Sequence, residues 1–134
     1  MKTKKDSAVC YKIKKGIAGL GLFASRDIKK GELIIEYIGE KISNKDQDLL
    51  NGKYLFEINN RWTIDGKARS NTARYINHSC KPNCEPEIRK GRIFIEAKKN
   101  ISAGDELCYD YGKEYFKEFI KPFGCRCASC KAKA

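Results

Sequence analysis

Acidic residues are in short supply: 17 Asp and Glu face 28 Lys and Arg in 134 residues, a formal net charge of +11. With a pI of about 9.4, such a chain favours acidic surfaces or nucleic acid as company, the plainer alternative being a solvated lysine-rich surface. Long apolar runs are missing as well. No stretch approaches the roughly 20 residues of a membrane helix, so no membrane is expected among its partners. The opening MKTKKDSAVC has a basic start with no hydrophobic region behind it, so no signal peptide is expected. There is no internal repeat, no low-complexity segment and nothing that reads as a linker between two cores; one domain is expected. A Gly-Lys-Ser/Thr phosphate cradle is lacking too. Histidine occurs once, at His78, with no paired acid or nucleophile evident around it, which disfavours a histidine general base.

Cysteine, in contrast, is abundant but odd in number. Of the seven, three fall in CRCASC at 125–130, a spacing poor for three separate bridges and good for a metal. Cys125, Cys127 and Cys130 can share one ion, and a structural zinc site wants four ligands. The fourth must come from Cys10, Cys80, Cys84, Cys108 or His78. The other reading is three reduced cysteines with no metal. With no secretory signal, an intracellular location with reduced thiols is expected.

The rest of the chain reads as short strands separated by glycine turns. LIIEYI (33–38), YLFEI (54–58), RWTID (61–65), RIFIEA (92–97) and ELCYDY (106–111) have the β-branched and aromatic content of strands. KKGE, RKGR and SAGD supply turns. Helix signal is confined to a stretch near NKDQDLL and to KEYFKEFIK, where Tyr115 with Phe119 and Phe116 with Ile120 are spaced i, i+4. KGIAGLGLFA (15–24) carries Gly16, Gly19 and Gly21. Its Gly-Leu-Gly core lacks the third glycine and the following helix of a dinucleotide fingerprint. By itself it reads as a β-turn whose glycines permit close approach of backbone groups to something polar.

Taken in order, GLGLFA, GELIIEYIGE, RYINHSCKPNC (74–84), AGDELCYDYG and the terminal cysteine cluster resemble SET-domain protein (histone) lysine methyltransferases with a short post-SET zinc tail. The resemblance runs from about Ala8 to Cys130, and its R-x-x-N-H-S-C-x-P-N and E-L-x-Y-D-Y elements are highly specific. It implies a mainly β fold of several small curved sheets, short helices and a knot-like C-terminal threading, with residues 8–112 as the SET domain and 113–134 as the post-SET segment. It also implies S-adenosylmethionine as cofactor. Ala18, Gly19, Leu20 and Gly21 would contact its amino-acid and sulfonium end, Asn77 and His78 its amine and adenine. Arg74 would fix the segment, and Tyr54 would face the cofactor. Tyr111 matches the family's catalytic tyrosine and Tyr109 the position that limits how many methyl groups fit, so one or two transfers are expected; Tyr54 and Phe56 would join them as channel walls. In relatives with such a tail the cysteine of NHSC completes the zinc site, which selects Cys80 beside Cys125, Cys127 and Cys130.

Two departures bear on the substrate. No cysteine-rich region precedes the SET core, and the stretch from Lys41 to Asn60 is shorter than the usual insert that walls the peptide groove. A histone tail leads, another basic protein stays open, and non-specific nucleic-acid contact is allowed by the charge. Nucleus or chromatin would follow for a eukaryotic or host-directed protein, cytoplasm for a bacterial one. The competing expectation is a catalytically silent, zinc-stabilised module that binds basic tails or DNA.

Overall fold

Alternation explains the middle of the molecule. A computed structural model describes residues 9–16, 19–46, 50 and 54–112, and among them the strands are β1 (Tyr11–Gly16), β2 (Gly19–Ala24), β3 (Leu33–Tyr37), β4 (Glu40–Ser43), β5 (Leu55–Glu57), β6 (Trp62–Asp65), β7 (Asn77–His78), β8 (Cys84–Arg89), β9 (Arg92–Ala97) and β10 (Glu106–Tyr109). One 3-10 turn, Thr72–Tyr75, accompanies them. In β9 every second residue, Ile93, Ile95 and Ala97, is buried, as a half-buried strand requires. It lies between β3 and β8, antiparallel to both. The strand β8 tolerates Pro86 because, among the described residues, it has a neighbour on one side only. The β8–β9 turn uses Lys90 and Gly91 at φ 51° and 76°, the left-handed pair that a tight two-residue hairpin needs.

A second three-stranded sheet has the order β4-β6-β5, and a four-stranded sheet has the order β1-β2-β10-β7. In the latter, β10 is antiparallel to β2 but parallel to β7, with Cys108 opposite Asn77 and Tyr109 opposite His78. The mid-chain motif is thereby laid beside the Tyr-Asp-Tyr motif. Leu22, Ile28, Ile76, Ile93, Ile95 and Leu107 form the most deeply buried part of one core shared by these layers. Each such side chain contributes about 1.5–3 kcal/mol relative to an exposed one. Among the described residues, no helix is long and apolar enough to cross a membrane.

The mainly β architecture of several small sheets is the one expected. Details differ. GLGLFA is not a turn but the whole of β2, pairing with β1 from Gly16↔Gly19 to Tyr11↔Ala24, because Leu22 and Ala24 point into the core. ELCYDY ends as a strand at Tyr109; the Asp110 carboxylate accepts from the Gly112 N–H at 2.8 Å and turns the chain. Near NKDQDLL, Asn44 and Lys45 form a turn and residues 47–49 lie outside the described residues. So do Ala18, the expected helix KEYFKEFIK, the segment 113–134 and with it Cys125, Cys127 and Cys130.

Candidate active site

The parallel pairing of β7 with β10 brings five rings into one row. Tyr37 and Phe56 are 5.4 Å apart, Phe56 and Tyr109 6.2 Å, Tyr109 and Tyr111 5.0 Å, and Tyr111 meets the edge of His78 at 5.4 Å. Phe56 and Tyr111 are half-buried against the core, Tyr109 is buried. The Tyr111 hydroxyl donates to the Ile76 carbonyl. That bond fixes the ring against the residue preceding Asn77.

His78 is held from the same side. Its Nδ1 accepts from the Tyr111 N–H at 3.1 Å, which places the ring proton of the neutral imidazole on Nε2. Burial holds its pKa below the ordinary histidine value, with the Asp110 carboxylate, 3.8 Å from Nδ1, pulling the other way. A neutral ring whose Nδ1 already accepts a backbone hydrogen bond is built to orient its surroundings rather than to take up a proton. Asp110 is an acid that the sequence did not mark as a partner of His78.

Asn77 spans the other direction. Its Nδ2 donates to the Leu20 carbonyl at 3.1 Å and to the Glu106 carboxylate at 2.8 Å, so the glycine strand and the Asn-His segment are joined across β10. At Gly19, φ is 100° and nothing among the described residues stands within 4 Å of where a Cβ would be; with Leu20 exposed beside it, this backbone has room for a ligand on that side. Arg74 and Tyr54 form a second cluster, the guanidinium 4.5 Å above the Tyr54 ring and 5.3 Å from Tyr75. Arg74 Nε is buried without an acceptor among the described residues. The clusters meet where the Tyr37 hydroxyl donates to the Tyr54 carbonyl at 2.7 Å.

The structure therefore gathers Phe56, Tyr109, Tyr111 and His78, joins Asn77 to Leu20, the residue before Gly21, and sets Arg74 on Tyr54. Cys80 is exposed, its Sγ 3.6 Å from His78 Nε2, while its three expected partners lie outside the described residues. Sequence reasoning passed over Glu106 and Asn83. Asn83 donates to the Glu106 carbonyl at 2.9 Å and accepts from the Cys108 N–H at 3.0 Å, which buttons the motif loop onto β10. The only prior signal for Asn83 was its place in the Pro-Asn pair of the motif.

A fold of small sheets that lays an Asn-His strand beside a Tyr-Asp-Tyr strand is matched by a known family: the SET domain model covers residues 19–112, and the chain belongs to that family. Among curated proteins it is 42% identical, across 90% of its length, to histone-lysine N-methyltransferase trr of Drosophila melanogaster. It is 36% identical, again across 90%, to histone-lysine N-methyltransferase 2D of Homo sapiens, and 38% identical across 83% to the H3 lysine-4 specific enzyme of Emericella nidulans. The chain spans 6%, 2% and 10% of the lengths of these relatives.

Proposed function

We propose that the protein is a protein-lysine N-methyltransferase acting on a histone tail or a similar basic segment, with residues 8–112 as its catalytic unit. The observation that carries this reading is the ring row Phe56–Tyr109–Tyr111–His78 ending on the β7/β10 pair, in a chain whose relatives are named histone-lysine N-methyltransferases. S-adenosylmethionine, when bound, supplies an electrophilic methyl group on a sulfonium. The residues present suit it: an open backbone at Gly19 and Leu20, the Asn77 amide, and a buried Arg74 Nε that has no acceptor among the described residues.

The chain's own work is to prepare the amine. A lysine ammonium has a pKa of about 10.4 in water and must lose its proton before it can attack. Walls made of Phe56, Tyr109 and Tyr111 disfavour the charged form by desolvation, so the proton leaves to solvent as the side chain enters. Tyr111, anchored through Ile76, then orients the neutral amine, and holding the reactants in line supplies much of the acceleration.

Zinc would be held by Cys80 with Cys125, Cys127 and Cys130. What supports Cys80 is accessibility: Cys10 and Cys84 are fully buried, burial pushes the Cys84 thiol up to about 12, and Cys108 is half-buried with its backbone N–H on Asn83. A metal there would tie the tail to the motif loop. Non-specific contact with DNA and a place on chromatin fit the charge of +11 and the histone substrate.

The test is transfer of labelled methyl from S-adenosylmethionine to mixed histones, by the full chain and by Tyr111→Phe. Label should enter histone protein and rise from neutral pH toward about pH 9 as the free amine grows. Tyr111→Phe should lose about 100-fold or more in turnover with cofactor affinity near normal. Histone retention without label would replace catalysis by binding alone.

A further inference from the structure

Glu106 opens β10, and no motif argument assigns it a task. Its Oε2 lies 2.8 Å from Asn77 Nδ2, and the Leu20 carbonyl lies 3.1 Å from the same nitrogen. Both neighbours can only accept, so the Asn77 amide is forced to face them with its NH2 group, and both N–H bonds are used. Oδ1 is left as the acceptor of the side chain, with no donor on it among the described residues. Glycine on the facing strand has a matching reason. A Cβ at Gly21 would stand 2.5 Å from Glu106 Oε2 and 3.1 Å from Asn77 Nδ2. Gly21 has no positive φ, so no turn explains the glycine, and a side chain there would have to displace the Glu106 carboxylate.

We propose that Glu106 is a positioning residue that holds the Asn77 side chain with its carbonyl oxygen presented to an ammonium group of the cofactor, and that Gly21 is glycine to leave room for that carboxylate. The proposal rests on the functional reading above for the identity of the ligand, but the clamp itself is a property of the chain alone. It predicts coupling between two positions 85 residues apart in the chain order (106 − 21 = 85).

The experiment uses the full chain, its Glu106→Ala, Glu106→Gln and Gly21→Ala variants, and the Glu106→Ala/Gly21→Ala double variant. Affinity for S-adenosylhomocysteine, which keeps the ammonium group, is measured by calorimetry. Glu106→Ala should weaken binding about tenfold, the loss of one charge-assisted hydrogen bond, with kcat at saturating cofactor within about twofold. Glu106→Gln, which still offers an acceptor oxygen, should recover most of the affinity. Gly21→Ala should weaken the parent protein but add nothing in the Glu106→Ala background, the non-additivity of a contacting pair. In ligand-free protein, the Asn77 side-chain amide should give two separate, exchange-protected NMR signals that are lost in Glu106→Ala and kept in Glu106→Gln. Unchanged affinity in Glu106→Ala, a Gln variant as weak as Ala, or an additive Gly21→Ala would overturn the proposal. A parent protein that binds no S-adenosylhomocysteine yet shows the protected amide would remove the functional reading and the cofactor half of the proposal together, leaving only a structural clamp.

Discussion

Tyr109 is 6% exposed, wedged between Phe56 at 6.2 Å and Tyr111 at 5.0 Å. A methylated amine must rotate to present its lone pair again, and so confined a neighbour leaves little room for that. Removing the Tyr109 hydroxyl takes a hydrogen-bond partner from any water beside it, which makes that water easier to displace. Tyr109→Phe should therefore shift product from mono- and dimethyl-lysine toward trimethyl-lysine with little change in cofactor affinity. Mass spectrometry of one peptide followed to completion checks it; trimethyl-lysine as the main early product of the parent protein would contradict the argument. The cysteines divide by the same logic of access. Thiolate is the reactive form, so burial protects Cys10 and Cys84 twice, by excluding reagent and by holding the thiol protonated. After chelation of zinc at pH 8, Cys80 should be alkylated first among the described cysteines and Cys10 and Cys84 only on unfolding. Equal labelling of Cys84 and Cys80, mapped on peptides, would deny this.

Between elements, the chain is held by asparagines that cross from one sheet to another. Asn71 is fully buried just before the 3-10 turn. It accepts from the Ile38 N–H at 3.0 Å and donates to the Gly66 carbonyl at 3.0 Å, and a Cβ on Gly66 would collide with its amide and with the Tyr37 ring. Asn71→Ala leaves both backbone groups without partners, and at about 1–3 kcal/mol for each the expected loss is about 2–6 kcal/mol. Urea unfolding measures it; a loss below about 1 kcal/mol would mean that water replaces the amide. This layer of the structure was the least legible beforehand. RIFIEA could be read with its exact bounds because its alternation is clean, whereas YKIKKG hides β1 behind lysines and CEPEIR hides β8 behind a proline. β7 is two residues long and exists only because β10 pairs with it. Asn77, Tyr111 and Glu106 were all visible through their motifs, but the task of Glu106 was not, since it depends on an amide 29 residues away and on a glycine in another strand.

At the scale of the whole molecule, charge is gathered as well as plentiful. Lys41 on β4 lies 5.2 Å over the exposed ring of Trp62 on β6, and its Nζ is 3.5 Å from where a Cβ on Gly91 would stand, at the tip of the β8–β9 turn. Arg61, Lys41 and Lys90 are all exposed, and among the described residues none of the three is in a salt bridge, whereas Arg89 and Arg92 are neutralised by Glu96 and Glu36. Lys41 thus meets the turn that carries Lys90, and Arg61 directly precedes the Trp62 that Lys41 covers; exposed cations with no salt-bridge partner among the described residues favour an anionic surface. Duplex DNA beside a histone tail is such a surface. Phosphate contacts of this kind release counterions, so affinity for a random duplex should fall steeply with salt. Replacing Lys41, Arg61 and Lys90 by Ser one at a time should each lower the slope of log K against log salt by about 1. Methylation of a short histone peptide, which carries no phosphate, should stay unchanged in the same variants. Fluorescence anisotropy on a labelled duplex at several salt concentrations decides the matter: slopes that do not move would make this corner an ordinary solvated surface, and a larger effect on the peptide than on the duplex would place it in the substrate path instead.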